Sequence, residues 1–519
     1  MATPRTKQKY LYTLAAGLLA VALQLMPVAS AQSTPVPGGQ LKVGWNYSGG
    51  TLDPHKGIVH GPDYWIIKLV YSTLVDLDAD LNVVPELASS WEISDDGLVY
   101  TFHLVQGVKF QNGRELTSAD VRYSFERLLN PETGASRRAN YSDISAIDTP
   151  DDYTVVLTLA RPNAVMLTQL TQAAASIVAH EGVEEFGDLS QHAAGSGPFI
   201  LRGVQADNSI LIEKNPDYFV DGLPYLDSIV FTTVADNQAR NTAVRTGDLD
   251  LITHVTDNYI SLLRQDPNVV IPEGDGSSGQ WFSFIMNVRQ APFDDLKVRQ
   301  AISYALDREL LARVSLDDEG FPLLGGSLAE WHWAALAPVF SGSNMQRAKE
   351  LMAESGYAGG FSFTLRVWSP QQFAVRAAQI IQASLAELNI KVTIDQQGDW
   401  ATYWGAVTGG TYDATLQGFG GNIDPHDYLF EAFREGGGRN VMGYVNPVVD
   451  QLLADGLRVT DRGERKAIYD ELQSILVEEA PQVFIWNQKQ SEAHQAYVKG
   501  FYHHMTLDLS ALITTWVEK

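Results

Sequence analysis

The stretch "YSTLVDLDADLNVVPELASSWEISDDGLVYTFHLVQGVKFQNGRELTSADVRYSFERLL", Tyr71–Leu129, decides the fold. Inside it, "LVYTFHL" alternates Leu98, Tyr100, Phe102 and Leu104, the pattern of a strand with one buried face. "LTSADVRYSFERLLNP" follows as a helix. Thr117 is its N-cap, Asp120 completes a capping box, and Val121, Phe125, Leu128 and Leu129 form one apolar stripe. Asn130-Pro131 ends it.

The same vocabulary continues on both sides. "LKVGWN" opens as a strand, "DYTVVLTL" alternates Tyr153, Val155, Leu157 and Leu159, and "GPFILRGVQADNSILIEKN" reads as a hairpin turning at Ala206 to Asn208. "WFSFIMNV" (Trp281 to Val288) is a longer strand. "DDLKVRQAISYALDRELLARV" sets Val298, Ile302, Ala305 and Leu306 on one helix face. "QQFAVRAAQIIQASLAELNIKVTI" and "ERKAIYDELQSILVEEAPQVFIW" each pass from helix to strand. This mixture predicts an α/β protein with several sheets. "GFPLLGGSLAEWHWAALAPVFSG", Gly320 to Gly342, has no period and is long for a loop, which marks it as a functional candidate.

The N-terminus sets the compartment. Arg5, Lys7 and Lys9 precede the apolar run Leu11 to Leu25, and "MPVASAQ" carries an A-x-A pattern at Ala29 and Ala31. That is a secretory signal peptide cut near Ala31; the competing reading is a retained anchor, which the short run disfavours. "QSTPVPGG", Gln32 to Gly39, reads as a polar tail. The chain has no cysteine, which excludes a lipidated N-terminus, so the expected location is the periplasm and not a lipoprotein. A chain of this length folds without disulfide staples and spans more than one domain. The net charge of −25 disfavours nucleic acid and anionic membrane surfaces.

Short catalytic motifs do not appear. There is no G-x-S-x-G elbow, no S-x-x-K pair and no G-K-[ST] phosphate loop, and "HEGVEEF" at His180 lacks a second histidine. "GSGPFI" at Gly195 leads into a strand, so it offers no helix N-terminus to phosphate. The adjacent His503-His504 is a poor chelate. In "LQGFGGNIDPHDYLF", Leu416 to Phe430, Asp424, His426 and Asp427 read as a structural turn rather than a metal set. An exported α/β chain with aromatic loops and no nucleophile points to binding. No catalytic residue, metal or cofactor is expected.

The Tyr71–Leu129 block, with "TLDPHKG", "GSGPF", "NPDYFVDGLPYLDSIVF", "TGDLDLI", "NVRQAPFDDLKVRQAISYALDREL" and "ESGYAGGFSFTL" in that order, resembles the extracellular solute-binding proteins of family 5, the peptide/nickel group that serves ABC importers. The resemblance implies a two-lobed periplasmic binding protein fold (type II, large form) with a ligand cleft between lobes and an extra domain inserted into the first. On that pattern 1–31 is the signal peptide, 32–71 and 196–288 form lobe I with a C-terminal segment at 490–519, 72–195 is the inserted domain, and 289–489 is lobe II. A monomer is expected. It would bind a small solute and hand it to permease subunits driven by separate ATPase subunits.

The resemblance also implies a site. The family's Gly-Trp-x-x-Asp stretch, whose aspartate holds a peptide ammonium in oligopeptide binders, corresponds here to Gly418, Phe419, Gly420, Gly421 and Asn422. Trp400 matches a ligand-contacting tryptophan, and Phe373 a cleft-facing position. The family's carboxylate-binding arginines correspond to Val407 and Leu416. His60 borders the cleft, and Trp281 opens a strand near the crossover. Tyr403 and Trp404 fall at helical spacing from Trp400 and read as core, while Trp331, His332 and Trp333 either roof the cleft or pack between domains. "FGGNIDPH" is close to a nickel-binding relative's stretch, but no later histidine follows, so nickel is not expected. The expected ligand is a short peptide. The alternatives are a neutral oligosaccharide or opine-like solute, or, in a different class, a periplasmic hydrolase or a chaperone-like peptide holder.

Overall fold

The computed structural model describes residues 34–46, 50–57, 62–205, 209–255, 257–272, 277–420, 424–489, 491–506 and 508–519. The chain divides into Met1–Val36 and Pro37–Lys519, and all the sheets and helices described belong to the second unit. The expected leader lies outside the described residues, as do His60, Asn422 and the hairpin tip at 206–208. Among the described residues, no helix is long and apolar enough to cross a membrane.

Three main sheets organise the unit. The strands are β1 (Gln40–Trp45), β2 (Ala88–Ile93), β3 (Val99–Leu104), β4 (Ile144–Asp151), β5 (Thr154–Leu159), β6 (Phe199–Val204), β7 (Ile210–Lys214), β8 (Ser228–Thr233) and β9 (Leu251–Val255). They continue as β10 (Val269–Val270), β11 (Ser277–Met286), β12 (Gly320–Pro322), β13 (Ser362–Trp368), β14 (Lys391–Gln397), β15 (Ala414–Gly420), β16 (Gln482–Lys489) and β17 (Ser491–Gln495). The first sheet has the order β10-β17-β9-β1-β8-β7-β6, the second β12-β16-β11-β15-β13-β14, and the third β2-β3-β5-β4.

The third sheet comes from the segment that decides the fold. In β3, Tyr100, Phe102 and Leu104 are buried, as their alternation requires. They face a helix, α2 (Ser118–Leu129), whose buried Val121, Phe125 and Leu128 supply the other half of the core. At its start the Thr117 amide donates to the Asp120 carboxylate at 2.9 Å, the expected capping box.

A shorter helix, α1 (Pro62–Val70), ends against "GSGPF". A Cβ on Gly195 or Gly197 would run into the backbone at Val70, so these glycines permit close packing. Strands β6 and β7 are antiparallel neighbours, as the hairpin reading requires.

One expected boundary moves. The strand 277–286 falls on the lobe I side of the division at 288, yet it pairs with β15 and β16 in the second sheet. The chain therefore changes sheets between Val270 and Ser277, and returns between Lys489 and Ser491, where a single residue separates β16 from β17. These two passages join the lobes side by side, the arrangement of a hinge.

Candidate functional site

Register places the carboxyl ends of the parallel strands at the passages. In the first sheet β1 is parallel to β8 and β9, and Val255 at the end of β9 pairs with Ser491 at the start of β17. In the second sheet β13 is parallel to β14 and β15, so Trp368, Gln397 and Gly420 end at one edge. The amino end of β11 lies at that edge too, with Trp281 opposite Phe419 and Gln280 opposite Gly420. Open α/β sheets bind ligands outside the carboxyl ends of their strands. Helices α3 (Gln372–Ala386), α4 (Trp400–Thr408) and α5 (Pro425–Phe433) begin just beyond this edge. Phe373, Trp400, Gly418, Phe419, Gly420 and Trp281 therefore gather at one end of the second sheet.

Their roles differ. Trp400 is 42 % exposed. Its ring stacks on Trp404 at 5.5 Å and meets Trp368 edge-on at 5.0 Å. Asp399 caps this helix by accepting from the Thr402 amide at 2.8 Å, which fixes the ring's height above the strands. Tyr403 is core, as its spacing suggested; its hydroxyl lies 2.9 Å from both the Thr415 hydroxyl and the Leu416 carbonyl. Trp404 is only half-buried, and it links Trp400 to Phe419 at 6.3 Å. The result is a ledge of Trp368, Trp400 and Trp404.

Three expectations change. Trp281 has no exposed surface: its ring stacks on Tyr428 at 5.5 Å and sits 6.1 Å from Phe419. It supports the edge from behind instead of lining a cleft, because its strand face is the one α5 covers. Phe419 is also nearly buried and backs the ledge. Trp331 and Trp333 are half-buried against the second lobe's own apolar core rather than packed between domains. They fold into the second lobe, where His332 faces Tyr428 and Trp333 faces Tyr469 on α6 (Arg462–Glu479).

Gly418 and Phe373 both pack against Phe282. A Cβ on Gly418 would crowd the Phe282 ring at 3.0 Å. Phe373 is half-buried and meets Phe282 edge-on at 5.3 Å, leaving part of its ring free at the start of α3.

The Asp-Pro turn is structural, as its sequence suggested. Asp424 caps α5 by accepting from the His426 amide at 2.9 Å, and Arg465 grips its carboxylate at 2.6 and 2.8 Å. His426 packs on Phe430 at 4.5 Å, and burial, ahead of its neighbouring charges, pushes it down to about 4. The loop after β1 is anchored in a similar way. Arg127 on α2 binds Asp53 through both carboxylate oxygens at 2.5 and 3.0 Å and donates to His55 Nδ1 at 2.7 Å. Burial and then the Arg127 charge push His55 down to about 4, so it stays neutral and donates from Nε2 to the Ser176 carbonyl.

Sequence reasoning missed where the lobes touch. Near the passages, Arg264 of the first lobe meets Glu319 of the second at 2.6 Å. On the inserted-domain side, the Ala164 amide donates to the Leu457 carbonyl at 2.7 Å, and Gln169 Nε2 donates to Asp427 at 3.0 Å. Between these last contacts lies a cavity of about 660 Å³ with walls from both bodies; Arg137, Arg161, Arg434 and Arg439 line it. Burial and then the Asp424 charge push Asp427 up to about 7 there. No local pattern signals this cavity, because its walls lie nearly 300 residues apart in sequence.

Two sheets joined by paired passages, with carboxyl strand ends gathered at the join, define a two-lobed binding protein. The profile of the bacterial extracellular solute-binding proteins, family 5, matches residues 82–440. The chain belongs to that family, whose members are binding proteins. It is 30 % identical to the glutathione-binding protein GsiB of Salmonella typhi over 511 residues, 94 % of this chain and 95 % of the relative. Among solved structures it is similar to AgaA of A. tumefaciens R10 in complex with agropinic acid, at 31 % identity, TM-score 0.74, and 93 % and 99 % of the two chains. It is also similar to the ABC transporter-associated periplasmic binding protein DppA of Helicobacter pylori with the peptide STSA, at 28 % identity, TM-score 0.75, and the same coverage.

Proposed function

We propose that this chain is the exported, monomeric solute receptor of an ABC importer, and that its solute is a short peptide. It captures the peptide by closing its lobes and delivers it to a membrane permease served by separate ATPase subunits, without catalysing any reaction. The observation that carries this reading is the convergence of both sheets' carboxyl ends on the two inter-lobe passages. That geometry lets solute touch both lobes at once and so favour the closed arrangement. Similarity to a glutathione-binding protein and to a peptide-bound DppA supports a peptide ligand. In this reading Trp400, Phe373 and the backbone of Gly418 and Gly420 meet the ligand, with His60 and Asn422 contributing from the loops beside them. Phe419 and Trp281 hold that surface in place. A signal peptide ending near Ala31 delivers the chain to the periplasm.

A second reading, a non-peptide solute, draws on the similarity to AgaA with agropinic acid and on the amide at Asn422 where oligopeptide binders carry an aspartate. An amide both donates and accepts, so it suits hydroxyls and carbonyls as well as an ammonium. Calorimetry with free peptides, N-acetylated peptides and neutral oligosaccharides separates the two. The peptide reading expects free and N-acetylated peptides to bind within about tenfold of each other, about 1.4 kcal/mol. Oligosaccharides outbinding both would replace it.

A further inference from the structure

Strand β9 breaks its register where the chain nears the first passage. Ile252 pairs with Ala493 and Val255 with Ser491, so three steps on β9 face two on β17, and Thr253-His254 forms a bulge. His254 adopts a φ of +55°, a left-handed backbone that is costly for a residue with a Cβ. A buried arginine holds it there. Arg240, on the helix Asn237–Thr246, donates to the Thr253 carbonyl at 3.2 Å and to the His254 carbonyl at 3.0 Å. Bulges re-aim side chains, and strained residues of this kind gather at ligand sites. Here the imidazole is turned onto the ring of Trp65 at 5.4 Å. Trp65 sits 6.1 Å from Trp45, and Trp45 stacks on Phe231 at 4.8 Å. Of these four rings only that of His254 is not buried. Its Nδ1 lies 3.2 Å from the Thr253 hydroxyl, and among the described residues its Nε2 has no partner. Burial holds the imidazole below its ordinary value, Glu492 opposing and Arg240 adding to the effect, so the ring is neutral and can donate or accept at Nε2.

Val255, the next residue, pairs with Ser491 at the start of β17. On the far side of that passage Asn487 pairs with Trp281, which lies opposite Phe419. From Asn487 to Ser491 the chain advances about 13 Å at strand spacing. His254 therefore stands across the passage from the edge that carries the ledge of Trp368, Trp400 and Trp404, a separation that a short peptide bridges. The ledge belongs entirely to the second lobe, and a ligand that favours closure must also touch the first. We infer that His254 is a first-lobe contact for the transported solute, and that its Nε2 bonds a neutral polar group, the carbonyl or N–H of a peptide bond, when the lobes close. The bulge and the left-handed backbone, fixed by Arg240, present that nitrogen. The inference deepens the peptide reading and rests on it for the chemistry of the group bound, but the contact itself requires only a solute held between the lobes.

The test uses the full mature chain with His254→Gly and His254→Asn, read by calorimetry and by thermal melts. The probes are glutathione, free short peptides and agropinic acid. Glycine accepts the left-handed backbone without strain, so His254→Gly should melt at or above the parent temperature. It should nevertheless bind whichever probe the parent binds at least tenfold more weakly. Asparagine tolerates the same backbone and keeps a donor and an acceptor, so His254→Asn should recover part of that loss. If only agropinic acid binds the parent and His254→Gly weakens it tenfold, the peptide reading falls and the contact stands. If His254→Gly binds within threefold of the parent, the contact is overturned. If both variants melt several degrees below the parent, the ring is a packing piece for Trp65 and the inference is likewise overturned. Should no probe bind the parent, the peptide reading falls and the melting comparison decides: a His254→Gly chain less stable than the parent overturns the inference, and one at least as stable supports it.

Discussion

The aromatic ledge and the arginine-lined cavity are built by opposite rules. The ledge comes from one lobe and from one short span of sequence, Trp368 to Phe419, in which parallel strands end and helices begin. Its rings are held by stacking and by the Asp399 cap, so it exists in either arrangement of the lobes. The cavity exists only where two bodies meet. Its charged side chains, Arg137 and Arg161 on one wall and Arg434 and Arg439 on the other, come from both bodies. The ledge offers apolar area, and the cavity offers charged side chains from both bodies. A receptor that closes needs both kinds of surface, since a ligand shifts an equilibrium only through contacts that differ between its states.

The sharpest way to break this contrast is to remove the supports and the contacts separately. Trp281→Ala should cost about 3–5 kcal/mol of stability, because a large ring is deleted from a fully packed site behind the ledge. Arg465→Ala should cost a similar 3–5 kcal/mol, since it strands the buried Asp424 carboxylate and loosens the start of α5. Denaturant unfolding measures both. Losses under about 1 kcal/mol would show that neither residue supports the edge.

Trp400→Ala should behave in the other way. Its ring is 42 % exposed, so stability should change little, while ligand affinity should fall by about 1–3 kcal/mol as a stacking surface is lost. Calorimetry beside a thermal melt reads both quantities. A large fall in melting temperature with affinity intact would make Trp400 a packing residue and remove the ledge from the site.

The smallest expected effect is the pH dependence at Asp427. Its carboxyl is pushed up to about 7 by burial and then by Asp424. The folded chain therefore keeps a proton that the unfolded chain has released. On sign, the folded state binds more protons over that range, so stability falls as pH rises from about 4 to about 7 and levels off above. Asp427→Asn keeps an acceptor for Gln169 and removes the titration, so its stability relative to the parent should rise across the same window. Urea titrations at spaced pH values read the difference. A parallel pair of curves would mean that Asp427 titrates alike in both states.

The sequence exposed whatever is local and periodic. The alternation in β3 and the capping box of α2 are both present, because each depends on residues only two to four positions apart. The positions around Gly418 and Trp400 also meet at one edge, since parallel strands followed by helices bring their ends together. What stayed hidden is whichever face of an element meets which neighbour. Trp281 and Phe282 point to opposite faces of β11, and only the packing of α5 determines that Trp281 is the one sealed in. The long segment Gly320 to Gly342 lacks a period because it is shaped by α6, as when Gln473 donates to the Ala334 carbonyl at 2.8 Å and Lys466 to that of Ala335 at 3.1 Å. Arg137 and Arg439 sit in unremarkable polar stretches, and nothing local ties one to the other.

Capture between closing lobes is the event on which the proposed function depends. Small-angle X-ray scattering of the mature chain, free and saturated with a ligand whose binding calorimetry has established, measures this most directly. Lobe closure should give a smaller radius of gyration in the saturated chain. Unchanged scattering at verified saturation would contradict it, and would make the paired passages a fixed strut instead of a hinge.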